Sequence, residues 1–149
     1  MEAPAVWTHP LMYVEVEPES DFIDTIKHCE NLAATALDEE DMLTQQALYQ
    51  RLHQCLSLLH PTLNDPIPEA LVEQFTVNVR PTTSPAMDTE SDLLCEYCIA
   101  LSELLSGSPR TLRIDETLQG LLYDLTSFLA DTMQAPRWLN TSKGLHPLV

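Results

Sequence analysis

Cys95-Glu-Tyr-Cys98 is the pair in this chain whose residue types and spacing come nearest to a chemical motif. Two cysteines three residues apart lie on one face of a helix, which suits a redox dithiol or half of a zinc site. A redox dithiol sits at a helix N-terminus beside a βαβ unit, whereas this pair falls about two turns inside a helix-like segment. A zinc site needs two more ligands, and the sequence holds neither a second C-x-x-C nor an H-x3–5-H pair. Cys95 and Cys98 are therefore read first as small apolar residues of a core stripe and second as metal or redox candidates, with no cofactor expected. Cys29 and Cys55 fall in helix-like segments as well, and four such cysteines suit reduced thiols in the cytoplasm.

The other chemistry-bearing residues form no catalytic pattern. His9, His60 and His146 each precede a proline, His28 and His53 lie in helical stretches, and no G-x-S-x-G accompanies them. Three glycines (Gly107, Gly120, Gly144) are too few and too scattered for a phosphate-cradling loop. No enzyme activity is expected.

Charge is more informative. The 149 residues carry 23 acids and 7 Lys or Arg, a net charge of −16. Such a surface repels nucleic acid and anionic membrane, because the few bases form no patch. No run of about 18 apolar residues exists to span a bilayer. The charge is also uneven. Residues 1–75 hold 14 acids against Lys27 and Arg51, whereas residues 76–149 hold 9 acids against five bases. Two clusters stand out: Glu15, Glu17, Glu19, Asp21 and Asp24, then Asp38, Glu39, Glu40 and Asp41. Acids near helix N-termini are favoured by the macrodipole, but this density exceeds what capping needs. These nine residues are the candidate partner-binding surface.

The elements that would carry them follow from hydrophobic period. Residues 11–17 alternate as a short strand stopped by Pro18. Phe22, Ile26, Cys29 and Ala33 then make a helical stripe, with Ser20 or Asp21 as N-cap. Leu43, Ala47, Leu48, Leu52, Cys55, Leu56 and Leu59 mark a second helix ended by His60-Pro61. Residues 60–68 contain three prolines and read as a linker, and Glu69 to Gln74 as one or two helical turns. Phe75 to Val79 alternates again. A third helix, capped by Asp88 or Thr89, carries Leu94, Cys98, Leu101 and Leu105 and closes at Gly107. A fourth, capped by Asp115, carries Leu118, Leu121, Leu122, Leu125, Phe128, Leu129 and Met133. The tail from Pro136 reads as turn residues.

Val14-x-Val16-x-Pro18 matches Val77-x-Val79-x-Pro81 at an offset of 63, so the elements repeat as strand, helix, helix. The expected fold is mainly α: a four-helix, bundle-like single domain over 1–149 with two short strands. Its pseudo-duplicated units lie at about 11–60 and 73–133, with a C-terminal tail at 136–149. Phe75-Thr-Val-Asn78, followed by Asp88-Thr-Glu-Ser-Asp-Leu-Leu94 and two helices, resembles a family of short uncharacterised pseudomonad proteins built from a strand and a helical hairpin. The resemblance covers roughly 75–133 and implies a bacterial or phage source and a small helical fold, with no functional residue to carry over.

The expectation for function is a non-catalytic acidic interaction protein that binds and modulates a basic partner protein, in its most specific version a DNA-mimic inhibitor of a nucleic-acid-binding complex. The alternatives are a secretion-type chaperone or adaptor for a cognate protein and a Cys-dependent metal or redox protein. Leu121, Leu122 and Tyr123, with Trp138 and Leu139, offer apolar surface for a homodimer.

Overall fold

A computed structural model describes residues 22–63, 65–80 and 90–148. Four helices dominate: α1 (Phe22–Asp38), α2 (Met42–Leu59), α3 (Ser91–Ser106) and α4 (Leu112–Gln134). The apolar stripes become the buried faces of their helices, except that Leu43 of α2 and Leu121 of α4 stay exposed, at 67% and 45%. Ile26, Cys29, Leu32 and Ala36 of α1 meet Leu48, Leu52, Cys55 and Leu56 of α2, with Leu94, Cys95 and Cys98 of α3 and Leu122, Leu129 and Met133 of α4 completing one core. α1 packs on α2 and α4, and α3 packs on the same two, so the helices stand at the corners of a square. Short connections between α1 and α2 and between α3 and α4 make both hairpins antiparallel and set both turns at one end of the bundle.

The helix limits follow local chemistry. Asp41 caps α2, its carboxylate accepting from the Thr44 backbone N–H (3.0 Å) and hydroxyl (2.6 Å). α4 starts a turn earlier than its expected cap: Thr111 is the N-cap residue and accepts from Ile114 N, while Asp115 lies inside the first turn. Asp115 is claimed instead by Arg110, at 3.1 Å. The linker begins as a 3-10 turn, His60–Thr62, and Glu69 to Phe75 forms two more, Glu69–Leu71 and Glu73–Phe75.

The opposite end carries a small sheet that corrects the expected strand pattern. β1 is only Thr76–Val77, and it runs parallel to β2 (Trp138–Thr141) with Thr76 beside Trp138. β2 turns back into β3 (Gly144–Pro147), so the tail is a hairpin and there are three strands among the described residues where two had been expected. The two-residue turn is closed by Gly144 at φ +109°, a conformation that a Cβ would strain. The tail's alternation is short and polar, which hid it. Its pairing depends on a partner strand some 60 residues away. The expected strand at 11–17, the caps at Ser20 and Asp21, and hence one unit's strand in the duplication, lie outside the described residues. α3 begins later than the expected cap at Asp88 or Thr89, themselves outside the described residues: Glu90 is its N-cap residue, with no side-chain capping bond, because the apolar stripe starts only at Leu94.

Beneath this sheet, Phe75 is buried and stacks on Phe22 at 5.8 Å, with the Arg137 guanidinium 6.0 Å above its ring centre. Arg137 N–H also donates to Phe75 O at 2.8 Å. The sheet is thereby fastened to the end of the bundle where α1 begins and α4 finishes.

Candidate functional site

The two hairpin turns, brought side by side, build the site. Along one, α1 ends and Glu39–Asp41 leads into α2; along the other, Gly107–Thr111 joins α3 to α4. Glutamines stitch them together. Gln46 donates to Gly107 O at 2.8 Å, Gln45 donates to Ala36 O at 2.8 Å, and Gln119 donates to Gln45 Oε1 at 3.1 Å. Between the turns lies a cleft of about 380 Å³. Its apolar lining is Leu37, Met42, Leu105 and Leu112, with Leu105 buried, Met42 55% exposed and Leu112 74% exposed. Glu39, Glu40 and Glu116 supply the acidic lining.

Among the described residues that line the cleft, Arg110 is the one cation, and it is tied down. Its Nη1 donates to Asp115 Oδ1 at 3.1 Å, its Nη2 to Leu104 O at 2.7 Å, and its backbone N–H to Asp115 Oδ2 at 3.0 Å. The pair cancels locally and leaves the three glutamates to set the sign of the field. Glu39 has a second task, since its Oε1 accepts from Asp41 N–H at 3.1 Å.

The structure divides the nine acids expected to bind a partner. Glu15, Glu17, Glu19 and Asp21 lie outside the described residues. Asp24 is exposed in the first turn of α1, whereas Asp38 closes that helix, about 21 Å away at the rise of an α-helix. The acids therefore form no continuous row along α1. Glu39 and Glu40 reach the cleft; Asp41 is spent on capping, and the hydrogen bonds from the Thr44 hydroxyl and backbone hold its carboxyl below the usual range. Sequence reasoning missed Glu116 and the apolar lining. The signal was there in part, because Asp115-Glu116 opens the second hairpin as Asp38–Asp41 divides the first, and an antiparallel bundle puts both turns at one end.

The cysteines occupy a different place. Cys29, Cys55, Cys95 and Cys98 are free thiols with no exposed surface, gathered from α1, α2 and α3 into the dry core. The Cys95 thiol donates to Leu56 O at 3.7 Å, and Cys98 Sγ lies 3.7 Å from the Thr126 hydroxyl, which bonds Leu122 O at 2.8 Å. Burial holds Cys95 up at about 12 and Cys98 at about 11, which keeps both protonated and poorly nucleophilic at neutral pH. Cys29 and Cys55 hydrogen-bond each other across α1 and α2. Acceptance of the Cys29 S–H, helped by His28 and Arg51, lowers Cys55 to about 5, while that same bond and burial raise Cys29. His28 is buried beside the Cys29–Cys55 pair, whereas His53 is half-exposed and not part of the core. Among the described residues no group of three or more His, Cys, Asp or Glu is placed to hold a metal ion.

The apolar surface differs from the expected one. Leu122 has no exposed surface, and Tyr123, Trp138 and Leu139 are half-buried, so of that set only Leu121 stands out, at 45%. Leu93, Tyr97 and Leu104 form the outward apolar stripe of α3. No helix among the described residues is long and apolar enough to cross a membrane. No protein-family model, curated protein or solved structure matches the chain.

Proposed function

We propose that this chain is a non-catalytic interaction protein that binds a basic partner protein through the end of the bundle where the two hairpin turns meet, and modulates that partner by occupying its basic surface. The observation that carries the reading is the cleft lined by three glutamates, whose one lining cation is neutralised by Asp115. Carboxylates in that arrangement attract and orient a basic surface, and the attraction acts most on the rate of encounter. A DNA mimic needs a row of carboxylates at phosphate spacing. The described members of the candidate acidic set fall at the two ends of α1 and in the turn after it, so the proposal rests on the cleft and not on mimicry.

Binding of fluorescently labelled octalysine to the full chain tests the location. Substituting Glu39→Gln, Glu40→Gln and Glu116→Gln together should weaken binding about tenfold, the size expected for removing several partly exposed charges, and flatten its salt dependence. Asp24→Asn, at the far end of α1, should leave it unchanged. Equal affinity for the triple variant and the parent chain would remove the cleft from the function.

A further inference from the structure

We infer, resting on that reading, that the cleft's occupant is a short cationic peptide segment anchored by one or two bulky apolar side chains, with its Lys or Arg residues flanking the anchor. The lining decides this by elimination. A polyamine or a purely basic strand would answer Glu39, Glu40 and Glu116 and leave Leu112 and Met42 in water, where most of their surface now lies. A purely apolar segment would cover Leu112 and Met42 while stripping water from the glutamates with nothing to replace it, a costly exchange. An acidic-apolar segment meets the same carboxylates as like charges. A segment that is both basic and apolar satisfies the two halves of the lining at once.

Size points the same way. A volume of about 380 Å³ is near the low end of the roughly 300–1,000 Å³ of ligand pockets, so it admits side chains and not a whole helix. The anchor would sit over Leu105, the buried residue of the lining, between Leu37 and Met42 on one turn and Leu112 on the other. The flanking cations then face Glu39 and Glu40 on one wall and Glu116 on the opposite wall. α1 ends at this point with no basic residue in its last turn, so the negative end of its dipole adds to the first wall. The Arg110–Asp115 pair spares an incoming cation repulsion from the guanidinium, and the glutamine bridges hold the walls at a set separation.

Three labelled octapeptides separate the terms in anisotropy titrations of the full chain: two central leucines flanked by lysines, octalysine, and two central leucines flanked by glutamates. The leucine–lysine peptide should bind about tenfold more tightly than octalysine, and the glutamate peptide should not bind. Met42→Ser with Leu112→Ser, both on exposed side chains, should erase that tenfold preference, read as the ratio of the two peptides' affinities for the same variant. Helical content by circular dichroism checks that the variant is folded. If the preference survives the double substitution, or if octalysine binds as tightly as the leucine–lysine peptide, the apolar anchor is wrong and the basic-partner reading stands. If neither lysine peptide responds to the triple glutamine variant, the basic-partner reading itself falls.

Discussion

The middle of the bundle and its loop end use residues in opposite ways. The middle holds the most reactive side chains in the chain, four thiols and the His28 imidazole, and buries them where no reactant reaches. The loop end is built from glutamate, glutamine, leucine and methionine, ordinary residues that leave a charged, partly apolar cleft open to water. Chemical potential alone is therefore a poor guide to a site. A thiol in a close-packed core acts as a small hydrophobe, whereas carboxylates around an unfilled apolar hollow have partners still to find.

Thiol reactivity gives this contrast its largest expected effect. Cys55, despite its lowered pKa, should react with a thiol-specific disulfide reagent at least ~1,000-fold more slowly than a cysteine placed by Leu112→Cys, because access requires opening of the core. Comparable rates would show that the interior is open and would return Cys29 and Cys55 to the list of reactive groups.

The dependence of stability on pH comes next. Cys95 and Cys98 have folded pKa values raised above the ordinary thiol value, so their contribution is full below pH 9 and is lost as pH climbs toward 11–12. Cys29 is raised as well and acts in the same direction. Cys55 is lowered, so its contribution is full above pH 9 and disappears as pH falls toward 5. Urea unfolding should accordingly show a thiol contribution that rises from pH 5 to 9 and declines beyond. Cys98→Ala should make the decline between pH 9 and 11 shallower by about 1.4 kcal/mol per pH unit. An unchanged slope would mean that Cys98 ionises without unfolding.

Core and cleft leucines should differ more modestly. Leu52, with no exposed surface, should cost about 3 kcal/mol as Leu52→Ala, whereas Leu112→Ala should cost less than about 0.5 kcal/mol. Denaturant midpoints measure both, and a large loss at Leu112 would make the cleft part of the core. The smallest effect is expected at Asp41. Asp41→Asn keeps a capping side chain and should preserve both Tm and octalysine binding, while Asp41→Ala should lower Tm by a few degrees. A loss of binding in the Asn variant would restore Asp41 to the partner surface.

Much of the fold was legible because a helix writes its buried face into the sequence every three or four residues. Leu48, Leu52, Cys55 and Leu59 announce α2, and Gly107 marks the end of α3. Asp115 misled because a carboxylate suits both an N-cap and an arginine partner, and Arg110 arrives only once the turn is folded. Leu122 misled because both it and Leu121 are apolar, and only the packing of α4 decides which faces inward. The tail hairpin went unseen because two four-residue strands have no period long enough to read, and the third strand of their sheet, directly after Phe75, lies about 60 residues away in the chain.

The sequence by itself determined the four helices, most of the buried face of each, the excess of negative charge and the placement of the cysteines in helical segments. These are local properties, set by side-chain spacing and by composition. Tertiary structure alone decided that Glu39 and Glu40 meet Glu116 across Leu112 and Met42, that Arg110 turns to Asp115, and that Cys29 touches Cys55. Those meetings depend on which helix ends lie together, and that is settled by burying four apolar faces at once.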